Sequence, residues 1–375
     1  MCKNMCKNTL EKMCLLEEGR AAGRKQEQMY GRVPAQCILP PHMLNEIAKK
    51  GNPKQRDMAL KTLLMSEKIR GRREAFAEVY VAMSLGAKCT RVYDAKNGQD
   101  LPGEEVNDPE NSSDPAVKEA HNGANATYDM YLNAFERNSI DDKGMCILSS
   151  VHFDEKYDNA FWDGRQMVYG DGDGELFNRF TISIDVIGHE LTHGVTEYEA
   201  GLVYYDQPGA LNESMSDVFG SLVKQRVLNQ TAEEADWLIG EGLFTSKVKG
   251  KALRSMKEPG TAYDDPVLGK DPQSAHMRDY KRLPRREDSG GVHINSGIPN
   301  RAFCITAMEI GGHAWEKAGK IWYIALRDRL RYNSGFQAAA NKTFQIAGVM
   351  FGTGSEEQNA VKKGWTEVGI TPKAR

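Results

Sequence analysis

No run of apolar residues in this chain of 375 approaches the length of a bilayer-spanning helix, so a helical membrane span is excluded. The opening octapeptide, Met1-Cys2-Lys3-Asn4-Met5-Cys6-Lys7-Asn8, lacks the apolar stretch of a secretory leader. Cytoplasmic synthesis without a signal peptide is expected, with non-classical export left open. Cysteine is sparse: 7 residues, an odd number, with Cys2, Cys6 and Cys14 crowded at the start and no framework spacing. Free thiols are therefore expected, and the doubled Met-Cys-Lys-Asn reads as a short disordered repeat rather than a soft-metal site. No basic stripe with interleaved aromatics occurs, which removes nucleic acid from the expected partners.

The chain does have enough apolar residues, 40%, to bury a large core in two or three folding units. Its small net charge hides an asymmetry. Residues 1–76 carry 16 Lys and Arg against 8 Asp and Glu, which leaves 33 against 44 for the rest. Opposite signs favour docking of the first segment on the remainder.

The most informative stretch is His189-Glu190-Leu191-Thr192-His193. Two histidines four apart on a helix share a face one turn apart, so both imidazoles can converge on one metal ion. Glu190 then points at the open coordination position, where a base for an attacking water must sit. Val186, Ile187, Leu191 and Val195 give this helix an apolar face, and buried histidines need partners. Glu213, in Asn212-Glu213-Ser214-Met215-Ser216-Asp217, is the candidate third ligand, flanked by Asn212 and Asp217 as acceptors for the imidazoles. A His2Glu set leaves a fourth position free, the mark of catalytic zinc.

Apolar residues recur at three- and four-residue steps after Asp114-Pro115, from Val117 to Phe135, which predicts a helix. Strands are predicted over 147–153 and 166–169, and a turn at Asp171-Gly172-Asp173-Gly174. Beyond Gly201 the pattern is mostly helical, over 210–227, 296–310, 315–330 and 336–349, with a last helix capped by Ser355 and Gln358. Upstream, 45–50 and 58–69 read as short helices around the breaker Gly51-Asn52-Pro53. The adjacent Pro40 and Pro41 force extended backbone suited to lying across a groove.

Several separate motifs together resemble the thermolysin-type neutral metalloendopeptidases from about Thr90 onward. They are Asn159-Ala160-Phe161-Trp162, Met167-Val168-Tyr169-Gly170-Asp171-Gly172, the H-E-L-T-H helix, Gly209-Ala210-Leu211-Asn212-Glu213, Leu253-Arg254-Ser255-Met256 and Gly290-Gly291-Val292-His293-Ile294-Asn295-Ser296-Gly297. The resemblance implies an α+β fold of two lobes, a mixed α/β lobe over 77–200 and a mostly helical lobe over 201–375, with one catalytic zinc in the cleft between them. It implies zinc ligands His189, His193 and Glu213, Glu190 as proton shuttle, His293 and Tyr204 as donors to the oxyanion, and Asp288 as the carboxylate orienting His293. Asn159, Ala160 and Arg254 match groups that bind the substrate main chain. Phe177, Phe180, Val186 and Leu253 match the pocket for the residue after the cleaved bond, so bulky apolar residues are expected there.

Asp185, Asp236 and Glu241 match part of the family's double calcium site, but Lys224 and Leu238 stand where two further ligands belong. One calcium or none is expected, because an ammonium repels a metal ion. The first segment resembles the short propeptide of the protealysin-like branch, with His42 where an aromatic residue is expected. Residues 1–76 are thus expected to be an inhibitory propeptide, docked in the cleft until removed near the basic cluster Lys68 to Arg73, with Cys37 or His42 able to reach the zinc. The expected enzyme is a monomeric zinc endopeptidase acting on peptides and proteins. Two other readings stay open: a catalytically silent peptide binder on the same fold, and an aminopeptidase.

Overall fold

The computed structural model describes residues 36–76 and 88–373; the doubled N-terminal repeat lies outside them. A six-stranded sheet forms the first lobe, in the spatial order β1-β5-β6-β4-β2-β3. These strands are β1 (Gln36–Cys37), β2 (Thr90–Asp94), β3 (Glu104–Glu105), β4 (Ile147–Val151), β5 (Ala160–Trp162) and β6 (Met167–Tyr169). Strand β4 runs parallel to both β2 and β6, while β5 is antiparallel to β6 and accepts β1 on its outer edge. The edge beside the cleft is therefore closed by two residues from the first segment of the chain.

That segment continues into α1 (Pro41–Lys50) and α2 (Pro53–Phe76). Both helices are longer than the sequence pattern suggested: α1 begins on Pro41, expected to be extended, and α2 on Pro53, read as part of the breaker. Proline at the first helical position gives up only an N–H that has no partner there anyway. The basic cluster Lys68 to Arg73 accordingly lies within α2.

Helix α3 (Pro115–Phe135) starts where predicted, with the Asp114 carboxylate accepting from the Ala116 N–H at 2.9 Å. Asp173 likewise nucleates the expected turn by accepting from the N–H groups of Glu175, Leu176 and Phe177. The helical lobe follows the expected pattern with shifted ends: α5 (Asp206–Val227), α6 (Asp288–Asn295), α7 (Gly297–Ile310), α8 (Ala318–Ile324), α9 (Phe336–Phe351) and α10 (Glu356–Glu367). A π-helical turn, Ala325–Arg329, extends α8. Ser355 caps α10 as predicted, but Gln358 reaches back to the Gly354 N–H.

The two helices that matter most are α4 (Ile184–Tyr198), carrying the H-E-L-T-H stretch, and α5. They approach closely because Gly188 faces Gly220. A Cβ at Gly220 would lie 2.3 Å from the Asp185 carbonyl oxygen and 2.9 Å from the His189 nitrogen. Any side chain there would push the helices apart, and Glu213 is carried on the same α5.

The expectation of free thiols is corrected by a disulfide between Cys89 and Cys146. The parallel register pairs Thr90 with Ile147, so the preceding residues of β2 and β4 are neighbours, with Cα atoms 4.6 Å apart. Cys37 and Cys304 are buried thiols. No helix among the described residues is long and apolar enough to cross a membrane.

Candidate metal centre and substrate cleft

Helical spacing on α4 and the close α4–α5 contact bring His189, His193 and Glu213 together in the buried cleft. His189 Nε2 lies 3.6 Å from one Glu213 carboxylate oxygen and His193 Nε2 lies 3.4 Å from the other. Both Nε2 atoms, Glu213 Oε2 and Glu190 Oε1 are buried without a hydrogen-bond partner. Orphaned buried polar atoms are costly, and four of them around one point fit a divalent cation of the zinc type. Ligand atoms of His189, Glu190 and His193 also fall within 4.8 Å of one another, so two carboxylates compete for the third place.

Each imidazole is oriented from behind. Asp217 Oδ1 is 2.8 Å from His189 Nδ1, and Asn212 Oδ1 is 2.8 Å from His193 Nδ1. Both ring nitrogens facing the site are thereby left as lone-pair donors. The Asn212 amide donates to the Leu202 carbonyl, which fixes its flip. Ser216, one helical turn after Asn212, also lies 2.9 Å from His193 Nδ1. Burial and the neighbouring His189 hold His193 well below the ordinary histidine range, so it stays neutral and able to bind metal. Burial alone would raise the Asp217 carboxyl; Arg254 and His189 outweigh it and hold it down.

Glu190 accepts the Trp162 N–H at 3.1 Å through Oε2. Burial, then the charge of Glu213, pushes its carboxyl well above the usual range. That is the condition of a group able to take a proton. Opposite it, Tyr204 O–H donates to Glu213 and lies 3.2 Å from His293 Nε2. A left-handed run, with φ of 48, 47, 84 and 87° at Asp288, Ser289, Gly290 and Gly291, folds the Asp288 carboxylate back onto His293. Asp288 binds both the backbone N–H and Nδ1 of His293. Burial would depress His293, yet Glu213 and Asp288 bring it up to about 9, so it is a donor at neutral pH.

Arg254 is buried, not a surface ion pair. Its Nε and Nη2 clasp Asp217 at 2.9 and 2.8 Å, and Nη1 donates to the Ile38 carbonyl at 3.2 Å. Asn300 adds a bond to Asp217 at 2.8 Å. Phe177, Phe180, Val186 and Leu253 are buried in the core that also takes the Ile38 side chain. His42 Nε2 lies 3.4 Å from the Tyr263 hydroxyl, and its ring feels the charges of Asp288, His293 and Arg254. Cys37 meets the site through its carbonyl, while its side chain joins a second apolar cluster with Met65, Ile69, Phe153, Tyr157, Phe161 and Val168.

The three residues of the expected calcium site surround a side chain instead. Lys224 Nζ lies 3.3 Å from Asp185, 2.7 Å from Asp236 and 3.7 Å from Glu241, and 3.4 Å from the Leu238 carbonyl.

Two lobes, a cleft, two back-bonded histidines and a buried base define a zinc metalloendopeptidase. Residues 74–197 match the family described as thermolysin metallopeptidase, catalytic domain, and residues 200–370 the thermolysin metallopeptidase, alpha-helical domain. The chain belongs to the thermolysin metallopeptidase family, whose members depend on zinc. It is 48% identical to an extracellular metalloprotease of Pectobacterium carotovorum subsp. carotovorum over 90% of this chain and 97% of that one. It is 42% identical to a thermolysin of Alicyclobacillus acidocaldarius subsp. acidocaldarius over 74% of this chain and 50% of that one. The solved precursor of protealysin, a metalloproteinase from Serratia proteamaculans, superposes with a TM-score of 0.82 at 51% identity, covering 90% of this chain and 100% of that one.

Proposed function

We propose that this protein is a zymogen whose mature form cuts internal peptide bonds on the amino side of bulky apolar residues. The observation that carries the reading is the convergence of His189 Nε2, His193 Nε2 and Glu213 on one buried point with Glu190 alongside. His189, His193 and Glu213 would hold the zinc, since Glu213 faces both imidazoles while Glu190 is tied to Trp162. Bound zinc supplies a Lewis acid that polarises the attacked carbonyl and lowers the pKa of water. Glu190 takes the proton of the attacking water and returns it to the leaving amine. Tyr204 and His293 donate to the developing oxyanion, with Asp288 fixing His293.

Asn159, the Ala160 backbone and Arg254 hold the substrate main chain as an added strand, a mode that gives affinity without sequence choice. Phe177, Phe180, Val186 and Leu253 favour an apolar residue after the scissile bond. Residues 1–76 act as a propeptide, a reading supported by the superposition on a protease precursor. The Lys224 ammonium replaces calcium at Asp185, Asp236 and Glu241. The Cys89–Cys146 disulfide supports work outside the reducing cytosol.

A quenched internal peptide with a blocked N-terminus tests this. Hydrolysis should need zinc, and Glu190→Gln should lower kcat by about a thousandfold or more. A requirement for a free N-terminus would point to an aminopeptidase. Binding without hydrolysis, equal with and without chelator, would point to a silent binder.

A further inference from the structure

Residues 36–39 lie in the cleft with the polarity and register of a substrate. Gln36 pairs with Trp162 and Cys37 with Phe161 across an antiparallel ladder. The Ile38 N–H donates to the Ala160 carbonyl at 3.2 Å, and the Leu39 N–H to Asn159 Oδ1 at 2.9 Å. Arg254 donates to the Ile38 carbonyl at 3.2 Å, and His293 Nε2 lies 3.2 Å from the Cys37 carbonyl oxygen. The Ile38 side chain is fully buried. Every group assigned above to the substrate main chain is thus engaged, and the carbonyl presented to the oxyanion donor is that of Cys37.

From this register we infer that the Cys37–Ile38 peptide bond is the first bond the enzyme hydrolyses, within its own chain. The inference rests on the endopeptidase reading above. Water adds through oxygen to the Cys37 carbonyl carbon, the C–N bond breaks, and both protons of the water pass, one after the other by way of Glu190, to the Ile38 nitrogen. The products are a Cys37 carboxylate and an Ile38 ammonium, so atoms and charge balance with solvent water as the only co-reactant. Ile38 meets the requirement for a bulky apolar residue after the cut. The bond is already held in position, so no encounter between molecules is needed.

The test starts from the full-length chain stripped of metal, to which zinc is added at a series of protein concentrations while intact masses are followed. A fragment ending at Cys37 and a chain beginning at Ile38 should appear first, at a first-order rate independent of concentration, and neither should form in Glu190→Gln. Ile38→Leu should keep the cut, whereas Ile38→Asp, which puts a charge in an apolar pocket, should slow it by about a hundredfold or more. A readout free of turnover is hydrogen exchange in the metal-free protein. The Ile38 and Leu39 amides should be protected, and Ile38→Asp should release both.

A first cut elsewhere, a rate proportional to concentration, or rapid exchange at both amides would each overturn the inference. A blocked reporter peptide, given to the same chain after an added serine protease has trimmed its prosegment, separates the two levels. If it is hydrolysed while Cys37–Ile38 stays whole, only this inference fails; if neither is cut, the proposed function fails with it.

Discussion

Replacing Lys224 by Met removes the one cation among Asp185, Asp236 and Glu241 while keeping most of the side-chain volume. At the Lys224–Asp185 separation of 3.3 Å, an effective dielectric near 20 gives roughly 5 kcal/mol before the cost of drying the ammonium. The Asp236 and Glu241 side chains keep 34% and 57% of their exposure, so water screens both, and only the contact with buried Asp185 counts near full strength. A net loss of about 2–3 kcal/mol is expected. The variant also leaves three carboxylates and the Leu238 carbonyl around an empty centre, which are ligands for a hard cation. Calcium at a hundred times its dissociation constant should therefore restore about 2.7 kcal/mol to the variant and nothing to the parent. The sign with pH follows from the buried Asp185 carboxyl losing its cation. Burial already raises the Asp185 carboxyl and Lys224 opposes that rise, so without the ammonium its folded-state pKa climbs further, and the variant's deficit develops above an unfolded value near 4 and shrinks on acidification. Thermal melts with calcium and with chelator, on Glu190→Gln backgrounds to prevent self-digestion, read both effects. Equal calcium stabilisation of parent and variant would refute the argument, as would a loss below about 1 kcal/mol.

His152 offers a second titration, because its ring nitrogens lie 2.8 Å from Asp171 and 2.9 Å from Asp114. The hydrogen bond to Asp171 leads in raising it to about 9; its stabilisation is complete below an unfolded value near 6.5 and lost as pH climbs through 9. Parent and His152→Gln should therefore differ by on the order of 1–2 kcal/mol at pH about 6 and converge above about 10 in denaturant titrations. Removing the disulfide with Cys89→Ala and Cys146→Ala opens a sequence separation of 57 residues. The expected cost is about 2–4 kcal/mol, and an unchanged denaturation midpoint would contradict it. Zinc added to metal-free Glu190→Gln should raise its melting temperature, because the orphaned atoms of His189, His193 and Glu213 regain a partner; an unmoved midpoint would count against the ligand set.

The metal group was legible in the sequence because its members are spaced by helical periodicity. His189 and His193 are one turn apart, and Asn212, Glu213 and Asp217 recur on one helix. Lys224 was legible as a departure from a known ligand pattern. Asn300, Ser216 and the Trp162 N–H were not found, since their roles depend on which backbone comes to rest beside Asp217, His193 and Glu190. Ser216 carried a usable signal, being four residues beyond Asn212 on the same face. The disulfide was missed for a different reason: only the parallel register of β2 and β4 makes Cys89 and Cys146 neighbours. Helix α2 was underestimated because a proline read as punctuation serves as the first helical residue.

If Cys37–Ile38 is the first bond cut, the proposed prosegment would have to outlast that cut, and the contacts of α2 would hold it in place. Met65 and Ile69 are buried against Phe153, Tyr157, Phe161 and Val168. Lys61 pairs with Asp154 at 3.2 Å and donates to the Glu155 carbonyl, and Ser66 lies 3.1 Å from the Tyr157 hydroxyl. Hydrolysis at Cys37–Ile38 breaks none of these. Ile38 would remain joined through α1 and α2 to the lobe it blocks, and would compete with free substrate at an effective concentration in about the millimolar range. On the proposed reading the cleft would open only after a second cut beyond Ile69 turned that tether into a separate ligand able to diffuse away. Self-cleavage at the first bond and the onset of activity on other substrates should then be distinct events, and a lag that shortens as the amount of mature enzyme is raised is the expected result in progress curves.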